Sequence, residues 1–461
     1  MTKKKIRVSD SMGTVEIPAD ALYQAQTQRA VDNFRISPLR LPTIMVRAIA
    51  LIKQASAEIN VDLGKLDAER GRAISAAAAA IAAGEHADQF PIDIFQTGSG
   101  TSSNMNVNEV IATIASSEDL PVDPNDHVNM GQSSNDVIPT AIHVAASLGI
   151  HEQLLPAIQK LESAIAGRIE QHRDTIKTGR THLMDAMPIS LAQEMSAWAS
   201  QLKHDRYRLQ TALTRLQQLA IGGTAVGTGI NTSADFGTRA CARLQASTGI
   251  RFMPMENLFE GLSTQNTALE VSGQLRVLAT SLTKISNDLR WMNSGPLTGL
   301  GEIRLKPLQP GSSIMPAKVN PVIPEAVMMV AAQVNGNDAT ITHAAQSGNF
   351  QLNVMLPLVA YNLLQSIEIL ANACKHLALA VDEFSVNHEI MTRNLARNPI
   401  LATALNPVIG YRKAAEIAKQ ALQQNRPILE VALEMTDIEE SRLRELLDPA
   451  KLARGPGEKS G

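Results

Sequence analysis

Three long stretches of this chain repeat their apolar residues at alternating intervals of three and four, and that spacing restricts the fold more than any other feature. One runs through Val271, Leu275, Leu278, Leu282, Ile285, Leu289 and Met292, and a second through Leu191, Met195, Trp198, Leu202, Leu209, Leu213 and Leu216. The third carries Leu352, Leu356, Val359, Leu363, Ile367 and Leu370. Such spacing lays a narrow apolar stripe along one side of a helix, the stripe used by helices that pack nearly parallel in a bundle. At ~1.5 Å per residue the longest of them approaches ~45 Å. That exceeds what the core of one compact domain needs, so burial against further copies of the chain is expected.

Composition points the same way. Aromatic residues are only 3% of the chain although 44% is hydrophobic, so the core is built from Ala, Leu, Ile, Val and Met, a palette that favours helix. The expected class is all-α. A chain of 461 residues is longer than single cores usually become, and its character changes along its length. Residues 1–134 form a mixed cap, with short apolar pieces around Val15 to Pro18 and an Ala-rich helix near Ile74 to Ala83. Residues 135–388 hold the long helices. Residues 389–461 break into short helices before a polar end marked by Pro449, Gly455, Pro456 and Gly457. No internal repeat of fixed period stands out.

The formal charge of −3 offers no broad attraction for nucleic acid or acidic membranes, so the expected partner is small and any anion must be gathered locally. Lys3, Lys4 and Lys5 precede no apolar segment and read as a solvated tail, and no later run is long and apolar enough to span a bilayer. Cys241 and Cys374 are too few for a disulfide framework or a zinc cluster. A cytoplasmic location without a bound metal is expected.

Four polar segments crowd small hydroxyl and amide side chains beside glycine or proline at the starts of expected helices. Thr97 to Asn104 precedes the helix through Val107 to Ala115, and Gln132 to Asp136 precedes another with Pro139 in its first turn. A helix start carries free N–H groups and a positive dipole end that suit a carboxylate, although both segments also fit plain N-capping. Gly179 to Pro188 forms a polar turn in which His182 is a candidate proton carrier. Pro310 to Glu325 is too rich in proline for helix or strand. It should form a lid loop that brings a hydroxyl, an amine and an amide together, with Glu325 following in the first turn of the next helix.

Along nearly its whole length the chain resembles the class II fumarase and aspartase superfamily. Ser312 to Pro321 looks like the superfamily signature, and Thr97 to Glu109, Gln132 to Pro139 and Gly179 to Pro188 look like its other motifs. Gly222 to Gly229, Ser133-Ser134-Asn135 and Thr140 to His143 are similar to fumarases, whereas Ala317 and Val322 to Glu325 are similar to aspartases. The resemblance implies a three-domain helical subunit, a homotetramer around a central bundle, and active sites assembled from three chains. It also implies reversible hydration of fumarate to (S)-malate through an aci-carboxylate intermediate, with no cofactor. Aspartate ammonia-lyase is the alternative.

By the same resemblance, Ser312 takes the C3 proton of malate, His182 protonates the departing hydroxyl, and Glu325 pairs with the imidazole. Thr101, Ser133, Ser134, Asn135, Thr181, Lys318 and Asn320 hold the substrate carboxylates, and Ser99, Gly100, Ser313 and Val319 complete the pocket. Fumarases commonly show His-Pro-Asn-Asp at a secondary dicarboxylate site, where this chain has Asp123, Pro124, Asn125 and Asp126. The added carboxylate should repel a dianion. Met130 stands where a lysine is usual, which removes a positive charge near Ser133 and should weaken substrate attraction.

Overall fold

The apolar stripes lie on helices of 26, 27 and 28 residues, Leu191–Leu216, Asn266–Met292 and Leu356–Glu383, and a further long helix of 24 residues is Val322–Ala345. In this computed structural model, which describes residues 4–454, every stripe residue from Val271 to Met292 and from Leu191 to Leu216 is buried. Leu352 departs from expectation. It sits in the strand Leu352–Asn353, paired with Gly348–Asn349, and the helix begins only at Leu356. Pro357 explains the late start, because a residue without an N–H is at home in the first turn and not in a helix interior. Lys3, Gly455, Pro456 and Gly457 lie outside the described residues.

The chain divides into two compact units, and each long helix gives part of its length to each. The first unit takes the chain up to Pro156 with Asp205–Ala279 and Val330–Asn372. It opens with the hairpin Lys5–Asp10 and Gly13–Pro18, so Lys5, read above as tail, is a strand residue paired with Pro18. Its core gathers Met45, Ile49, Ile52, Ile59, Ile74, Ile111 and Ile138 from the helices Thr43–Asp62, Ala68–Ala82, Thr101–Ala115 and Ser134–Gly149. The last of these is buried at nearly every position. Pro139 lies inside it, a turn later than expected.

The second unit takes Ala157–His204, Thr280–Met329 and the chain from Ala373 onward. It contains the hairpin Ile176–Thr181 with Met184–Ser190. The short C-terminal helices close over a core of their own made by Leu401, Leu405, Ile417, Val431 and Leu443. Apart from the hairpins and other very short strands the architecture is helical. Among the described residues no helix is long and apolar enough to cross a membrane.

Candidate active site

In the first unit two helix starts meet. Gly100, at φ 72°, turns the chain into the helix Thr101–Ala115, and a Cβ there would press against Ile138 at 3.0 Å, so glycine serves both the left-handed backbone and the close approach. Ile138 belongs to the helix Ser134–Gly149, and Asn104 Nδ2 donates to Ser134 Oγ at 3.0 Å between the same two helices. Ser99 Oγ and Thr101 Oγ1 share a hydrogen bond of 2.7 Å. Ser133 caps its helix in a capping box with Asp136, and Asn135 Nδ2 donates to the Ala225 carbonyl at 2.8 Å. The Asp136 carboxylate accepts from the backbone N–H groups of Ser133, Gly222 and Thr224. Burial pushes its carboxyl pKa up, and those three donors oppose the shift. Thus Ser99, Gly100, Thr101, Ser133, Ser134 and Asn135 form one cluster of neutral donors at two positive dipole ends, suited to a carboxylate.

In the second unit the hairpin tip is Thr181-His182-Leu183-Met184, with φ 57° at His182 and 61° at Leu183. Two consecutive positive φ values make a type I′ turn, the form whose twist matches a two-residue hairpin. The turn leaves Thr181 and His182 exposed. Beneath the tip, Lys177 lies between Glu194 and Glu302, and Arg180 donates to Glu302 at 2.7 Å. Those charges, of which Lys177 and Glu302 are buried, seat the strand that ends at Thr181.

The loop expected to be a lid is irregular from Pro310 to Pro321, as the prolines require. Ser312 Oγ accepts from the backbone N–H groups of Ile314 at 3.2 Å and Met315 at 3.0 Å. An oxygen facing two such donors is favoured as an anion. The loop closes on itself where Gly311 N donates to the Lys318 carbonyl and Asn320 Nδ2 donates to the Gly311 carbonyl, both at 2.7 Å. Lys318 Nζ reaches Asn320 Oδ1 at 2.6 Å, while Ser313 and Val319 are exposed. Glu325, in the first turn of Val322–Ala345, shares an open cleft of about 1140 Å³ with Lys318, Val319 and Asn320. Among the described residues its carboxylate forms no ion pair, and no hydrogen bond joins His182 to Ser312 or Glu325 within the chain.

At Asp123 to Asp126 the departure from the usual motif has a structural consequence. Asp123 Oδ1 itself accepts from the N–H groups of Asn125 at 2.7 Å and Asp126 at 2.8 Å. The donors that could face a bound anion are therefore occupied by the chain's own carboxylate. Two groups to which the sequence reading gave no individual role also emerge. Asn104 joins the two helix starts, and Lys53 donates to Asn129 Oδ1 and Gln132 Oε1 at 2.9 Å each. Lys53 lies more than 70 residues from that loop, and only its place in an apolar helix face, next to no carboxylate, hinted at a special role.

Comparison with known proteins decides the family. Residues 13–336 match the lyase family model and residues 401–454 match the fumarase C C-terminus model. A class II fumarate hydratase of Pseudomonas aeruginosa is 56% identical over 99% of this chain and 100% of its own length. The chain belongs to the class II fumarase family. The class II fumarase of Mycobacterium tuberculosis is 52% identical over 92% of this chain and 90% of its own. Two solved structures share the fold. The class II fumarase of Schistosoma mansoni superposes with a TM-score of 0.94 at 36% identity, covering 98% of this chain and 99% of that one. The fumarate lyase:delta crystallin of Brucella melitensis superposes at 0.93 with 44% identity, covering 98% and 100%.

Proposed function

We propose that this chain catalyses the reversible hydration of fumarate to (S)-malate. The observation that carries the chemistry is the meeting of two helix N-termini lined by Ser99, Thr101, Ser133, Ser134 and Asn135, a set of neutral donors suited to a carboxylate. The fumarate hydratases among its relatives support water as the group added. They favour hydration over the ammonia elimination of the aspartase alternative.

The reaction is hard because removing a proton beside a carboxylate leaves two negative charges on one carboxyl group, so donors must be aimed at that group. Starting from malate, the deprotonated Ser312 oxygen takes the C3 proton, and the C–H electron pair passes into the neighbouring carboxylate to give the aci-carboxylate. The Ile314 and Met315 amides support the serine in its anionic form. Collapse of the intermediate forms the C2–C3 double bond and expels the C2 hydroxyl from the opposite face, where His182 protonates it to water. Lys318 and Asn320 with Thr101, Ser133, Ser134, Asn135 and Thr181 hold the two carboxylates, and Ser313 and Val319 complete the lid. Glu325 pairs with the imidazole. These groups need no metal or organic cofactor.

The proposed assembly is a homotetramer with each active site drawn from three chains. Its support is that all four long helices expose a large apolar side chain, Tyr207, Trp291, Met329 and Leu379, which partner helices would cover. The division into 1–134, 135–388 and 389–461 is proposed with it, the last segment supported by its separate core. A cytoplasmic location is part of the same reading. The test follows fumarate absorbance when purified protein meets malate and, separately, aspartate. Fumarate should appear from malate alone, and its release from aspartate but not malate would overturn the proposal.

A further inference from the structure

Lys53 is fully buried on the helix Thr43–Asp62, yet among the described residues no carboxylate pairs with it. Its ammonium donates instead to two neutral amide oxygens, Asn129 Oδ1 and Gln132 Oε1. Asn129 Oδ1 also accepts from Asn104 Nδ2 at 3.2 Å and Asn108 Nδ2 at 3.1 Å, and the same Asn104 nitrogen donates to Ser134 Oγ. Gln132 Nε2 holds the Val128 and Met130 carbonyls, and Asn60 Nδ2 also donates to the Met130 carbonyl at 3.0 Å. One buried cation thus gathers the whole segment Asn129–Ser134 and reaches a candidate substrate hydroxyl through two amides. Met130 brings no charge here, so Lys53 is the positive group that this segment receives from elsewhere in the unit.

Burying an ammonium without a carboxylate in direct contact is costly, and a dianion at the adjoining helix starts would offset that cost. Burial brings the Lys53 pKa down to about 7, and Asp136, the charged group that acts on it from the neighbouring helix, opposes the shift. We propose that Lys53 is a positioning residue for dicarboxylate binding, holding Asn129 and Gln132 so that Ser133, Ser134 and Asn135 face the substrate as one preformed donor set. It touches no substrate itself. The proposal rests on the fumarate hydratase reading and adds a residue outside the family motifs quoted above.

The test compares the full-length wild type with Lys53→Met and Lys53→Gln. In both variants KM for fumarate should rise between about 10- and 100-fold, the size expected when substrate-positioning groups are misplaced, while kcat stays within about threefold, as for lost ground-state binding. Affinity for succinate, an unreactive four-carbon diacid, should fall by the same factor in an equilibrium titration. A thermal midpoint equal to or above that of the wild type should accompany these losses, because a purely structural lysine would lower stability instead. Folded Lys53→Met with unchanged KM and unchanged succinate affinity would overturn the assignment, as would failure of both variants to fold. Absence of turnover in the wild type would strike the hydratase reading instead, and the succinate titration, which needs no turnover, separates the two failures.

Discussion

Lys177 and Glu302 form an ion pair at 2.8 Å in which both side chains are 1% exposed. Glu302 also receives Arg180, and Lys177 also meets Glu194, so a buried and a half-buried cation of one strand are seated on two carboxylates from elsewhere in the unit. That strand ends at Thr181 and hands the chain to His182.

Glu302→Gln leaves Lys177 and Arg180 short of a counter-charge in a buried place, and breaking such a pair typically removes about 3–5 kcal/mol of stability. The loss should appear as a lower denaturant midpoint in urea unfolding, and turnover should fall at temperatures where the protein is still folded, because the His182 hairpin loses its seat. Unchanged stability would mean that these charges are solvated in the working protein.

At the hairpin tip, Leu183 carries φ 61°. An L-residue with an ordinary side chain is strained there by ~1–2 kcal/mol, whereas asparagine tolerates the left-handed region. Leu183→Asn should therefore raise the thermal midpoint slightly, by an amount equivalent to ~0.5–1 kcal/mol once part of that strain is relieved, with malate turnover retained. A lowered midpoint would show that the leucine makes contacts worth more than the strain.

Ser312 Oγ is held by two backbone amides within its own loop and, among the described residues, by no distant side chain. Ser312→Ala should leave folding intact and lower kcat by at least ~10², the usual size of a general acid–base contribution. Circular dichroism and malate kinetics on the same sample check both halves, and near-normal turnover would remove Ser312 from the role of base.

Lys53 has a folded pKa of about 7 against an ordinary value of 10.5. Below pH 7 it is protonated folded and unfolded alike, so its burial penalty is fully present. Between pH 7 and 10.5 the unfolded chain binds a proton that the folded chain does not, and the penalty fades at up to ~1.4 kcal/mol per pH unit. The wild type should consequently gain stability relative to Lys53→Met as pH rises through that window. Parallel stability curves for the two proteins would show that Lys53 does not titrate there.

Much of this was legible in the chain before any coordinates. The stripe from Val271 to Met292 is buried along its whole length, because a spacing of three and four has only one way to hide its apolar side chains on a helix. The irregular loop from Pro310 to Pro321 was legible because proline and glycine act within a few residues, and so was the place of Glu325 in the turn that follows. Local signals misled where neighbours decided. Lys5 pairs with Pro18 as a strand, and Leu352 fits the helical spacing but belongs to a hairpin that ends before Pro357 can open the helix.

The sequence by itself determined the helical class, the motif segments and the residue types available for acid–base work, since propensity, capping and side-chain chemistry reside in the residues and their near neighbours. Only the tertiary structure brought Gly100 against Ile138, joined Asn104 to Ser134, placed Lys53 behind Gln132, and turned Asp123 onto its own helix start. Those relations depend on packing and on the matching of buried donors with acceptors across long stretches of chain, which no local pattern encodes.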